Sequence, residues 1–263
     1  MSESIASAIR SALLTGEAGD KVMAARRVAR DWRRGRLAFE FDAEMPEHPA
    51  WPAGLALLRP SRMPKRGRGG SDRNRIALWH ALAHIEFVAI DLALDMAGRF
   101  GGEMGRGFVA DFLSVAADEA MHFALLDRHL RKLGSHYGAL PAHEGLWQAA
   151  RDTRHDVAAR LAVVPMVLEA RGLDVTPATL SRVREAGDET GAQILERILD
   201  DEIRHVRFGA KHFREASRMR DETPRDLWQN LVKSHFRGAL KPPFNDSARR
   251  AGGLPRDWYA GIA

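Results

Sequence analysis

The chain has 263 residues, 45% of them apolar and 29% charged, with a net charge of +5 and no cysteine. Such a length suits one large domain with extensions, and the balance is that of a globular protein, neither disordered nor fibrous. Without cysteine there are no disulfides, thiolate zinc sites, iron–sulfur clusters or Cys nucleophile, so any metal must sit on oxygen and nitrogen donors.

The start, MSESIASAIRSALLTGE, has an early acid and lacks the apolar stretch of a secretory signal. No apolar run approaches the roughly 18 to 20 residues of a membrane span, so a cytoplasmic protein that does not enter the membrane is expected. Residues 1–75 hold 15 Lys/Arg against 9 Asp/Glu, and the remainder 25 against 26, so the positive charge belongs to the N-terminal quarter. Arg26, Arg27, Arg30, Arg33, Arg34 and the run from Lys65 to Arg75 carry much of it. No aromatic side chains interleave that run to stack bases, which favours a small-molecule substrate over tRNA.

Apolar residues at helical spacing, from Ile5 to Leu13 and from Val22 to Trp32, predict one or two amphipathic helices within residues 1–36. From Phe39 to Arg75 the periodicity fails and Pro46, Pro49, Pro52, Pro60 and Pro64 appear, a connector or an arm laid over the body. Ser71 or Asp72 caps a helix from about Arg73 to Arg99, ended by the glycines of GRFGGEMGRG. A second long helix runs from about Gly107 to Leu133 and stops at Gly134. After the crossover loop SHYGALPAHEG, a third runs from about Leu146 to Gly172, kinked at Pro165. Thr176 and Pro177 start a short helix to about Ala186, and a long one spans about Asp188 to Met219. Thr223-Pro224 opens a further helix, and the tail from Lys241 is proline-broken and extended. The class is all-α, a four-helix bundle over 71–220 with a helical, basic N-terminal extension over 1–70 and a C-terminal helix and tail over 221–263.

Two Glu-x-x-His pairs lie in this frame, Glu119 with His122 and Glu202 with His205. Positions i and i+3 share a helix face, so each pair can present a carboxylate and an imidazole to one point. Aspartate precedes both pairs, at Asp118 and Asp201, and each pair follows an isolated glutamate by 33 positions, Glu119 after Glu86 and Glu202 after Glu169. Carboxylates on apolar helix faces are costly to bury unless a positive charge meets them. Four glutamates balance two divalent ions while the histidines bind neutral, and mixed carboxylate–imidazole ligands suit iron or manganese. Asp118 and Asp201 are placed to accept the other imidazole N–H of a ligand. His84 points about 200° from Glu86 around a helix, so it is expected beside the ligands or in the core instead of on the metal. Only two tyrosines exist, Tyr137 and Tyr259, both remote in sequence from the ligand candidates, which disfavours a tyrosyl-radical enzyme.

Glu followed by Asp-Glu-x-x-His, repeated, resembles the ferritin-like di-iron carboxylate superfamily. HALAHIEFVAIDLA, VPMVLEARGLDVTP, DDEIRHVRFG and FRGALKPPFN are together most similar to a bacterial ferritin-like family, domain of unknown function 455. The resemblance implies two iron ions, or manganese, on Glu86, Glu119, His122, Glu169, Glu202 and His205. It also implies dioxygen or peroxide chemistry, with a separate reductase or other electron donor. The reaction class stays open: an oxidase or oxygenase, a ferroxidase or other iron-handling protein, a tRNA-modifying hydroxylase, or a non-enzymatic scaffold held by metal. A homodimer is compatible with all four.

Overall fold

All regular structure among the described residues is helical, apart from two isolated bridges that pair Ser4 with Ala38 and Leu57 with Ala142. The computed structural model describes residues 2–59, 62–63 and 71–263, so most of the basic run from Lys65 lies outside the described residues. Two compact units divide the chain, Met1–Trp147 and Gln148–Ala263.

In the first unit, α1 (Ile5–Leu13) is capped by Ser4, whose hydroxyl accepts from Ser7 N, and its apolar stripe lies on α2 (Ala18–Arg33) and α3 (Asp72–Met104). α2 turns Val22, Ala25, Val28, Ala29 and Trp32 inward and packs on α4 (Arg106–Lys132), leaving Arg26, Arg27, Arg30, Arg33 and Arg34 exposed. The N-terminal helices are thus part of the unit's core. α3 begins at the expected cap, with the Ser71 hydroxyl accepting from Asn74 N, and forms a hairpin with α4 through Gly105.

The glycines do not end α3 near Arg99; it runs on to Met104. A Cβ at Gly98 would strike Met45 Sδ, and one at Gly101 would sit 2.5 Å from Val109 Cγ2 and 2.8 Å from Phe41 Cζ. These glycines are therefore packing sites that let the connector lie against the helix, where it is also held by Arg99 Nη2 donating to Pro46 O at 3.2 Å. Gly101→Ala is expected to destabilise by about 1–3 kcal/mol through overpacking, read as a lower denaturant midpoint. α3 also corrects the expectation on membrane spans. Its most apolar 18-residue window reaches a mean hydropathy of 1.5, long and apolar enough for a bilayer, and 67% of that window is buried. It carries buried His80, His84, Glu86, Asp91 and Asp95, the pattern of a helix buried through most of its length in a protein core.

After α5 (Gly145–Asp152), which contains the boundary between the units, Asp156 caps α6 (Val157–Val163) by accepting from Ala158 N and Ala159 N. The expected single helix from Leu146 is therefore interrupted at residues 153–156, where Arg160 reaches back to Thr153 Oγ1 at 3.0 Å and Ala150 O at 2.6 Å. α6 continues through a π-helical turn, Val164–Glu169, into α7 (Ala170–Glu185). Pro165 has no N–H for the regular ladder, and the ladder widens there. α8 (Glu189–Met219) meets this turn at Gly209, where a Cβ would lie 2.5 Å from Pro165 Cβ.

The expected break at Gly172 and helix start at Thr176-Pro177 do not occur, since α7 passes through both. Pro177 cannot donate to the Leu173 carbonyl one turn earlier, and Asn245 Nδ2 takes that place at 3.2 Å. Asn245 N and the Arg249 guanidinium converge on Asp174, with Arg249 Nε at 2.8 Å and Nη2 at 2.6 Å. After α9 (Pro224–His235), started by Thr223-Pro224 as expected, the tail is accordingly not extended throughout. It carries α10 (Asp246–Ala251) and α11 (Arg256–Tyr259), and the segment before them anchors α7.

This continuity sets the register of the candidate ligands. Glu86 lies 18 residues before the end of α3 and Glu119 13 after the start of α4. In the second unit Glu169 lies 16 before the end of α7 and Glu202 13 after the start of α8; the first offset differs between the hairpins, while the two glutamates stand 33 residues apart in both.

Candidate metal centre

α3 and α4 bring Glu86, Glu119 and His122 together, each buried, with one donor atom from each lying within 4.8 Å of the others. His122 Nδ1 is 3.2 Å from Glu86 Oε2 and 3.3 Å from Glu119 Oε2, so both carboxylates converge on the same ring nitrogen. Burial, and then the neighbouring charge of Glu119, push the Glu86 carboxyl well above the usual carboxylate range, while His122 pulls it down. A cation at that point would favour the ionised form of both buried carboxylates. The donor set therefore fits a hard or borderline metal ion on two oxygens and one nitrogen.

In the second unit α8 repeats the arrangement in part. Buried Glu202 and His205 share a face, with His205 Nδ1 3.7 Å from Glu202 Oε2. Glu169 is half-buried and closes the π-helical turn. Asp201 is held on its own helix by Arg197 Nε at 2.7 Å and Arg204 Nη2 at 3.0 Å. Asp118, beside Glu119, is half-buried.

The family model described as a protein of unknown function, DUF455, matches residues 14–260. The chain belongs to this family. An uncharacterised protein of Haemophilus influenzae is 40% identical over 218 residues, covering 80% of this chain and 75% of its own. No solved structure matches.

In this DUF455 chain the histidines around α3 secure the loop after α4. His80 Nε2 accepts from Gly138 N at 3.0 Å, and burial lowers its pKa to about 4. Burial likewise holds His84 neutral, with a pKa of about 4, so its Nε2–H donates to His143 O and its Nδ1 accepts from Tyr137 Oη, both at 2.9 Å. His84 thereby acts on Tyr137 and the loop, with both ring nitrogens engaged away from the ligands. Tyr137, remote from the ligands in sequence, stacks within 5.0 Å of Phe87 and 5.1 Å of Phe123, the residues that follow Glu86 and His122. Phe123 and Tyr137 line a cavity of about 410 Å³ whose other walls include Val22, Pro52, Arg128 and His136.

One group escapes the sequence reading altogether. Lys21 Nζ meets Asp91 Oδ1 at 2.5 Å with both side chains fully buried, and Trp51 Nε1 donates to Asp91 Oδ2 at 2.8 Å. The signal for it was present: FVAIDLALDMA sets Asp91 and Asp95 in an otherwise apolar stretch, and each must have a partner if it is buried.

Proposed function

We propose that this protein is a ferritin-like di-metal oxidoreductase, in which Glu86, Glu119 and His122 combine with Glu169, Glu202 and His205 around two iron ions, or manganese. The observation that carries it is the convergence of two buried carboxylates on His122 Nδ1. The repeated spacing in α7 and α8, ending in the same Glu-x-x-His pairing, supports a matching second half. Two divalent ions on four glutamates and two neutral histidines would form a neutral, buried centre.

When bound, such a centre supplies redox equivalents for dioxygen or peroxide chemistry on a small molecule. The chain's own residues then have definable tasks. Glu86 and Glu119, buried on facing helices, would hold a bound ion through carboxylate oxygens that already converge on one point. His122 holds the nitrogen donor between them. Phe87 and Phe123, both buried, exclude water from this side, and a cysteine-free chain takes its electrons from a separate donor.

Anaerobic reconstitution with Fe(II), followed by metal analysis and an absorption spectrum after air exposure, tests this reading. About two ions per chain and a near-ultraviolet oxo-bridged diferric band are expected. Less than about half an ion per chain removes it. Fe(II) consumption without turnover of any organic substrate would favour ferroxidase, and a tightly held spectroscopically silent ion a structural scaffold.

A further inference from the structure

The cavity floored by Phe123 and Tyr137 has a volume of about 410 Å³, within the range of small-molecule pockets, and none of the six candidate metal ligands is among its walls. Val22 and Pro52 join the two rings, so its inner surface is apolar. One wall is fixed in place: the Tyr137 hydroxyl donates to His84 Nδ1 at 2.9 Å, and the Asp127 carboxylate accepts from Tyr137 N at 3.0 Å and from Arg131 Nε at 2.9 Å. That ion pair balances Asp127 against Arg131 and leaves two other charges at the rim, Glu17 and Arg128, both exposed. Glu17 stands at the start of α2, yet its carboxylate caps no helix N–H. Among the described residues neither side chain makes a hydrogen bond or an ion pair, with the other or with any neighbour. One cavity thus presents an aromatic floor, one unanswered carboxylate and one unanswered guanidinium, set too far apart to meet.

We propose that this cavity binds a small zwitterion with an apolar side chain, a free amino acid or a dipeptide. Its ammonium lies at Glu17, its carboxylate at Arg128, and its side chain against Phe123 and Tyr137. A polyanion such as a nucleotide would meet like charge at Glu17 and Asp127, a simple acid would leave Glu17 unanswered, and a simple amine would leave Arg128 unanswered. Only a ligand carrying both charges answers both. The arginine fork takes a carboxylate through two parallel hydrogen bonds, and the ring faces supply the apolar contact. The site uses no candidate metal ligand and needs no ion, so it stands apart from the metal reading above.

Ligand-observed NMR and calorimetry on the metal-free full chain test this with L-phenylalanine and L-alanyl-L-phenylalanine. The controls are 3-phenylpropionate, which lacks the ammonium, and phenethylamine, which lacks the carboxylate. Saturable binding of at least one zwitterion is expected, with a Kd of about 1 mM for a ligand of this size. Each single-charge analogue should bind about three- to fivefold more weakly, the scale of a partly exposed ion pair. The tighter of the two zwitterions tells a free amino acid from a peptide. The charge variants should cross. Glu17→Gln weakens the zwitterions and phenethylamine and spares 3-phenylpropionate, whereas Arg128→Gln weakens the zwitterions and 3-phenylpropionate and spares phenethylamine. Ala124→Trp sets a bulky ring at an exposed position of the cavity wall and should abolish binding, with circular dichroism unchanged. Arg27→Gln, at an exposed arginine outside the cavity, should bind as the wild type does. No saturation by either zwitterion up to about ten times that Kd overturns the assignment. So do analogues that bind as well as the zwitterions, charge variants that affect all four probes alike, or wild-type affinity in a folded Ala124→Trp. Iron uptake enters none of these measurements, so this site and the metal centre stand or fall separately.

Discussion

Glu119→Gln is expected to abolish metal loading at the centre while leaving the metal-free protein at least as stable as the wild type. Gln keeps the shape of Glu and removes one of two carboxylates that sit fully or almost fully buried against a single imidazole. Two carboxylates buried beside one imidazole carry a desolvation cost, and a neutral amide of the same volume avoids part of it. In the presence of metal the order reverses. A ligand that binds only the folded state stabilises it by about 4 kcal/mol at roughly 1,000 times its dissociation constant, and only the wild type collects that term. Denaturant midpoints with and without Fe(II) under anaerobic conditions read both signs. Glu202→Gln should behave likewise, whereas His136→Ala and His143→Ala should keep full loading. His143 contributes its backbone carbonyl to His84, which alanine retains. Equal loading in all four variants would reduce the paired motifs to ordinary buried polarity.

The sequence carried the local parts of this structure and lost the parts set by distant partners. Ser71 and Thr223-Pro224 are read as helix starts because their signals lie within one turn. Glu86, Glu119 and His122 were legible because the Glu-x-x-His pairing and the 33-residue repeat are written in the chain itself. Gly98 and Gly101 misled because their reason lies in Phe41 and Met45, more than fifty positions earlier. Pro177 misled more: the carbonyl that it leaves without a backbone donor is satisfied by Asn245, a residue nothing local predicts. The same distance hid Tyr137, whose neighbours Phe87 and Phe123 lie in two other segments of chain. The π-helical turn before Glu169 needs both Pro165 and the close approach of Gly209, and only the first is local.

Lys21→Met is expected to cost about 3–5 kcal/mol of stability near neutral pH, because it strands Asp91 as a buried carboxylate whose remaining named donor is Trp51. The wild-type pair ties α2 to α3, with Lys21 Nζ also 3.2 Å from Leu13 O and 5.3 Å over the Phe87 ring, beside the first candidate ligand. Burial raises the Asp91 carboxyl to about 6 even though the Lys21 charge and the hydrogen bonds from Lys21 and Trp51 pull it down. Without the ammonium it must rise further. A carboxyl raised above its unfolded value contributes stability that is fully present below that unfolded value and is lost as pH rises through the folded one. The deficit of Lys21→Met relative to wild type should therefore be greatest well above pH about 6 and shrink on acidification, when a protonated Asp91 needs no cation. The double variant Lys21→Met/Asp91→Asn should recover much of the loss and show little of this pH dependence, since it leaves no lone charge inside. Urea unfolding of the metal-free protein across that range measures the difference, and a pH-independent loss of less than about 1 kcal/mol would place the pair in the class of weak surface bridges.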